Sequence, residues 1–210
     1  HLRGTVGTNV DLELVRVVNE DLPRQTKTVS VVLERQELKA VYFRTRLLEN
    51  RVVYAAAEQC YDTLAQDIHG ALRAQTEPTT DVPIKGLVLD LRGNPGGTLT
   101  CAVRTVDLFI DSGTIVSTQS HRGFESYQAS STTPYLSLPL AILVDGGTAS
   151  AAEIIAGALQ DYGRATVVGS QTSAKGSVQT LLSPRANGSA LKITTAQYLT
   201  PKGRSFSETG

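Results

Sequence analysis

Apolar positions alternate from the start of the chain. Val10, Leu12 and Leu14 interleave with Asp11 and Glu13, and Val29, Val31 and Leu33 repeat the pattern over 27–35. The polar, proline-bearing stretch NEDLPRQ separates the two runs. A period of two lines one face of a strand, so 9–17 and 27–35 predict a β-hairpin. Shorter apolar runs at 38–43 and 52–54 predict strands. From Glu58 to Ala74 the period becomes helical: Tyr61, Leu64, Ala65, Ile68, Ala71 and Leu72 share a face. His69 lies on this helix beside polar Gln66 and Asp67, and is expected to face solvent or the helix end. Gln75 to Pro83 reads as a polar loop.

Ile84 to Leu91 predicts a buried strand, followed by the turn Arg92-Gly93-Asn94-Pro95-Gly96-Gly97. Leu99, Ala102, Val103, Val106, Phe109 and Ile110 form a helix face that Gly113 ends. Thr114 to Thr118 predicts a short strand, and the polar, serine-rich 119–137, which holds His121, a loop over or beside the site. The apolar run 138–144 predicts another buried strand, broken by Asp145-Gly146-Gly147. Thr148 is the expected N-cap of the next helix, whose face carries Ala151, Ile154, Ile155, Ala158 and Leu159. Strands are expected at 165–168, 178–182 and 190–196, with a turn at 183–189. Strands alternating with helices imply an α/β core.

A length of 210 residues suits one domain plus a fragment of another. With 20 basic and 20 acidic residues the net charge is zero, which points away from nucleic acid and anionic membranes as partners. Cys60 and Cys101 lack metal-site spacing and are too few for a disulfide framework; each sits in a helical pattern, so a buried thiol is expected. No signal peptide and no long apolar span occurs. The chain opens on His1-Leu2 and has no methionine, so its start is expected to be an internal point of a longer protein.

The candidate chemistry lies between Gly146 and Gln179. Ser150 stands at a predicted helix start, where unpaired N–H groups and the positive dipole end favour developing negative charge. A serine hydroxyl is a poor nucleophile until a base takes its proton, and a neutral amine can serve. Free lysine titrates at about 10.4, so a base working near pH 7 needs a fall of about 3 units, roughly 4 kcal/mol. Burial in uncharged surroundings supplies such a shift. Lys175 has Ser173, Ala174, Gly176, Ser177 and Val178 around it, and no Asp or Glu occurs from 162 to 206. Gln179 would orient the amine without adding charge. On spacing alone, a small-residue helix start with an unrelated surface lysine is the favoured reading. The glycine turn at 92–97 lacks G-x-G-x-x-G and the Lys-Ser/Thr of a P-loop, so an exposed N–H donor suits it better than a nucleotide. No G-x-S-x-G and no H-E-x-x-H occurs, which argues against a Ser-His-Asp or metal hydrolase.

Four stretches in order, DLRGNPGG (90–97), GGTASAAEIIAGALQDYGRATVVG (146–169), KGSVQT (175–180) and YLTPKGRS (198–205), resemble the C-terminal (tail-specific) processing proteases. The resemblance is close over 85–210, moderate over 1–36 and weak over 37–84. It implies Ser150 as nucleophile, Lys175 as base and Gln179 as third member. The oxyanion donors would be the backbone N–H groups of Gly96 and Ala151. Thr148 and Ala152 stand where the family carries serines, and Ser173-Ala174 replaces its Phe-Gly; no mapped catalytic residue is lost. The segment Leu2 to Thr8 resembles the L-R-G-x-x-G-T late in the family's PDZ domain, although a generic amphipathic hairpin satisfies the same pattern. The implied organisation is the C-terminal portion of a PDZ-like domain over 1–36 and a Ser-Lys peptidase core over 37–210, its C-terminal end cut short. The implied fold is crotonase-like (ClpP/crotonase-type), a sheet-and-helix α/β core.

The implied activity is a serine endopeptidase acting near polypeptide C-terminal tails in an extracytoplasmic setting, periplasmic or membrane-associated, without metal or organic cofactor. An activating or adaptor protein and a homo-oligomer are further partners it admits. The rival is a non-catalytic binding protein on the same scaffold, as in the retinoid-binding relatives. Such a protein has no need to keep serine, lysine and glutamine in register.

Overall fold

The computed structural model describes residues 2–19, 25–36, 41–75, 83–130, 134–182 and 190–209. The chain divides into two compact units, His1–Val41 and Tyr42–Gly210. In the first, β1 (Asn9–Asn19) and β2 (Gln25–Glu34) form the expected antiparallel hairpin. Val10 faces Leu33, Leu12 faces Val31 and Leu14 faces Val29, so the alternating apolar set meets across the ladder. Arg35 closes the open end: its Nε donates to Leu2 O and its Nη1 to Thr8 Oγ1 and Asn9 O. The connection between the strands and residues 37–40 lie outside the described residues.

The second unit is built on two sheets. The first has five strands: β3 (Phe43–Leu47), β4 (Val52–Ala57), β5 (Gly86–Asp90), β8 (Leu140–Val144) and β9 (Thr166–Gly169), in that spatial order. β3 is antiparallel to β4; the other neighbours are parallel. The crossovers carry α1 (Leu64–Ala74), α2 (Leu99–Asp107) and α3 (Ala151–Asp161). Strand order advances in one direction through every crossover, so right-handed connections set all three helices on the same face. Burial agrees: along β4 and β8 alternate residues are buried, and Val53, Ala55, Leu89 and Ile142 join Ile68, Val106, Ile154, Ile155 and Leu159 in one core. The second sheet is antiparallel, in the order β10 (Ser177–Leu182), β11 (Leu191–Leu199), β6 (Thr114–Ser120), β7 (Gly123–Gln128). α4 (Phe206–Thr209) ends the chain, with Phe206 buried. No helix among the described residues is long and apolar enough to cross a membrane.

Several expectations change. Residues 119–137 are not all loop, since β6 extends to Ser120 and β7 covers 123–128. The polar GFESYQ pairs along its whole length with β6, and cross-strand bonds such as Ser117 Oγ to Ser126 Oγ replace an apolar face. The predicted helix from Glu58 shortens to Leu64–Ala74, because 58–63 form a turn held by other contacts. That shortening takes Cys60 out of the helix. It sits in an isolated parallel bridge with Gly97, which brings the first turn of α2 over it. Cys60 and Cys101 form a disulfide rather than two buried thiols. His69 is half-buried, its Nδ1 3.0 Å from the Tyr135 hydroxyl, rather than facing solvent.

Candidate active site

The site forms where two turns leave the carboxyl ends of β5 and β8. After β8, Asp145 folds the chain back. Its Oδ1 accepts from the N–H of Gly93 (2.8 Å), Gly147 (2.9 Å) and Thr148 (3.1 Å). The Gly93 bond leads the causes that hold the Asp145 carboxyl below the usual range, against some desolvation. Thr148 is buried, and its hydroxyl donates to Leu91 O at 2.8 Å. It therefore ties the two turns together and does not cap the helix as its sequence position suggests; the N-cap of α3 is Ser150. Asn94, fully buried, completes the knot. Its Nδ2 donates to Ala57 O, and its carbonyl accepts from Ala149 N–H.

Ser150 sits at the sharp point of this turn with φ 55° and ψ −118°. A non-glycine residue at positive φ costs about 1–3 kcal/mol and persists only where its surroundings impose it. Gly96, at φ 92°, presses against it: a Cβ there would lie 2.6 Å from Ala149 O, 2.8 Å from Ser150 Cβ and 2.9 Å from Ala151 N. The adjacent Gly97 is as constrained, with a Cβ meeting Cys60 O at 1.6 Å. Gly96 N–H donates to Asn94 Oδ1 at 2.8 Å, so the donor expected from the sequence is already engaged. Ala151 N–H, the other expected donor, and Gly97 N–H make no hydrogen bond among the described residues.

The loop before β10 brings Lys175 to the same turn. Ser173 N–H donates to Thr148 O at 2.9 Å, and Ser173 Oγ to Gly146 O at 2.6 Å. Ala174 takes φ 59°, a second non-glycine residue in the left-handed region. Glu153, 2% exposed on the first turn of α3, receives the loop. Its Oε2 accepts from Ser150 N–H (2.7 Å) and Lys175 N–H (2.9 Å). Its Oε1 accepts from Thr172 Oγ1 (2.7 Å) and Ala174 N–H (2.8 Å). Two nitrogens bonded to one oxygen cannot lie farther apart than the two bonds laid end to end, so the backbones of Ser150 and Lys175 are neighbours.

The side chains are less closely gathered. No hydrogen bond joins Ser150 Oγ to Lys175 Nζ among the described residues. Lys175 is exposed, so burial within this chain does not supply the desolvation that the sequence reading asks for. Its surroundings are not free of acid either, because Glu153 reaches the loop from α3, a contact invisible in the local sequence. Gln179 does not meet Lys175: its amide donates to Thr194 Oγ1 (2.7 Å) and Ser177 Oγ (3.2 Å). A cleft of about 540 Å³ opens beside β10, lined by Leu99, Tyr127, Val178, Ile193 and Tyr198 together with charged Arg122 and Glu125. Sequence reasoning missed Asn94, Asp145, Glu153, Thr172 and this cleft. The signal for Glu153 was a charged residue on the otherwise apolar face of α3.

Residues 54–210 match the family model described as peptidase family S41. The chain is 39% identical over 212 residues to a carboxy-terminal-processing protease of Bartonella bacilliformis, covering 100% of this chain and 47% of that protein. It is 34% identical over 205 residues to the carboxy-terminal processing protease CtpA of Bacillus subtilis, covering 96% of this chain and 41% of the relative. Among solved structures it is similar to a photosystem II D1 C-terminal processing protease, with a TM-score of 0.72 and 26% identity over 99% of this chain and 55% of that one. The chain thus spans about half the length of the curated relatives it matches.

Proposed function

The chain belongs to peptidase family S41, and we propose that it is the catalytic portion of a serine endopeptidase that cleaves polypeptides near their C-terminal tails. Ser150 Oγ attacks the scissile carbonyl carbon while the neutral amine of Lys175 takes the hydroxyl proton. The tetrahedral oxyanion is held by Ala151 N–H and the Gly96-Gly97 turn, of which Gly97 carries the unpaired N–H. Collapse breaks the C–N bond, and the Lys175 ammonium returns the proton to the leaving amine. Water, deprotonated by the same lysine, then releases the acyl group from Ser150. None of these steps calls for a metal or organic cofactor.

The observation that carries this reading is the backbone of Ser150. A strained, non-glycine residue at the head of a buried helix, pressed by a glycine that tolerates no side chain, is what presenting a nucleophile beside bare N–H groups requires. Lys175 becomes a base when substrate covers it and excludes the water that favours the ammonium. The absence of a Ser150–Lys175 side-chain bond among the described residues is consistent with a resting site that tightens on binding. Gln179 acts on Lys175 only if its amide leaves Thr194. The disulfide supports an extracytoplasmic, oxidising setting. The core fits a crotonase-like fold, the first unit the late part of a PDZ-like domain. An activating protein or a second copy that closes the site is consistent with the exposed lysine.

The alternative, a binding protein on the same scaffold, draws on the same exposed Lys175 and the cleft. Casein cleavage separates the two. Activity that disappears in both Ser150→Ala and Lys175→Ala, with a basic limb in the parent's pH profile, is the expected result. Equal cleavage by the parent and both variants overturns the dyad.

A further inference from the structure

We propose that Glu153 is the positioning residue of this site: its carboxylate clamps the loop that carries the base to the turn that carries the nucleophile, and so sets the distance the proton must cross. The inference rests on the Ser150–Lys175 reading and adds to it the group that holds the pair in register.

A buried carboxylate is expensive unless every lone pair is used. Glu153 stands among Ala151, Ala152, Ile154 and Ile155 in the apolar first half of the helix, and all four of its acceptor directions are occupied. The partners come from two places. One is Ser150 N–H, three residues upstream, the carboxylate half of a capping box. The others lie 19, 21 and 22 residues downstream, at Thr172, Ala174 and Lys175. A helix cap needs only the first of these. The remaining three serve the loop.

The chemistry of the partners demands a carboxylate. Three of the four are backbone N–H groups, which can only donate; the Thr172 hydroxyl alone could reverse its role. A glutamine would turn an NH2 group towards at least one of those N–H groups. The loop also needs holding. Ala174 keeps a left-handed conformation that a residue with a Cβ avoids, and its own N–H and the next are the ones Glu153 accepts. The Ser173 bonds to Gly146 and Thr148 fix where the loop starts, and Glu153 fixes how it bends. Without the carboxylate Ala174 is free to relax, and the Lys175 backbone is no longer held beside that of Ser150.

The test measures kcat and KM separately, on an internally quenched peptide copied from a casein site that the parent cuts, together with thermal midpoints. Glu153→Gln is expected to lower kcat about 100-fold, the scale of an ångström of misplacement, with KM within about twofold. Thr172→Val, which removes one donor and leaves the charge in place, should lower kcat about fivefold, and Thr172→Ser should restore it. A purely structural role would move the midpoint and the active fraction but not kcat per folded molecule. Folded Glu153→Gln turning over at the parental rate, or raising KM alone, overturns the proposal. If Glu153→Gln does not fold, the Thr172→Val and Thr172→Ser pair decides, and equal kcat for the two overturns it. Ser150→Ala is the control for the premise: turnover that survives it sinks the dyad reading, whatever Glu153 does.

Discussion

The Cys60–Cys101 bond joins residues 41 apart, and its removal has a calculable cost. Replacing both cysteines by serine frees a loop of that length in the unfolded chain. On the chain-entropy relation the gain is about 13 cal/mol/K, or about 4 kcal/mol at 25 °C. Domains of this kind are stable by about 5–15 kcal/mol, so the loss takes a large share of the total. With a urea m-value of about 2 kcal/mol/M, the midpoint should fall by about 2 M at unchanged m. The site should suffer before the fold does. Cys60 N–H donates to Gly96 O at 3.0 Å, and Thr98, which caps α2, donates its hydroxyl to Asp62 at 2.6 Å, so the glycine turn hangs on the segment that the disulfide pins. The double variant, fully folded in dilute buffer, should therefore cleave more slowly than the parent. Urea melts followed by far-ultraviolet circular dichroism, since the chain has no tryptophan, and casein turnover read the two effects. Two titratable thiols in the native parent would refute the bond itself. A midpoint shift below about 0.5 M at equal m would refute the loop-entropy reasoning.

Three further outcomes follow from the geometry. Burial raises the Asp161 carboxyl, but bonds from the Thr200 hydroxyl, Lys202 N–H and Arg204 outweigh it and hold it below its usual range. Because the folded value lies below the unfolded one of about 3.9, its contribution is present above that pH and is lost as pH falls through the lower, folded value. Asp161→Asn should thus cost about 1–3 kcal/mol at pH 7, and the gap from the parent should begin to narrow in melts taken below about pH 4 and go on shrinking as the pH drops. Gly97→Ala sets a Cβ against Cys60 O; the turn must move, at a cost of about 3 kcal/mol with loss of turnover, and a near-parental thermal midpoint would contradict the close approach. Thr148→Val removes the buried hydroxyl bond to Leu91 O and should lower stability by about 1–3 kcal/mol in urea melts.

How much of this was legible in the chain depends on how far each signal travels. The hairpin at 9–34, the buried strands at 86–90 and 140–144 and the helix at 151–161 follow from residues within one or two turns of each other. Ser150 and Lys175 stood out through motifs, and their backbones do meet at Glu153. What failed to show was long-range. Glu153 reads locally as a helix-start acid, Asn94 as a turn former and Thr148 as a cap, while their partners lie as far as 57 residues away. Cys60 was misplaced because apolar periodicity ran into the helix from a segment held instead by Gly97. β7 was hidden because its pairing satisfies backbone and polar side chains without burying an apolar face.

The left-handed backbone at Ser150 and Ala174 sets stability and activity against each other. Glycine at either position would release strain worth about 1 kcal/mol or more, so the variants easiest to select for heat resistance include those that, on the proposed mechanism, erase the nucleophile or slacken the loop of the base. A screen for thermostability alone would therefore enrich glycine at these two positions and, on the proposed mechanism, inert proteins with it.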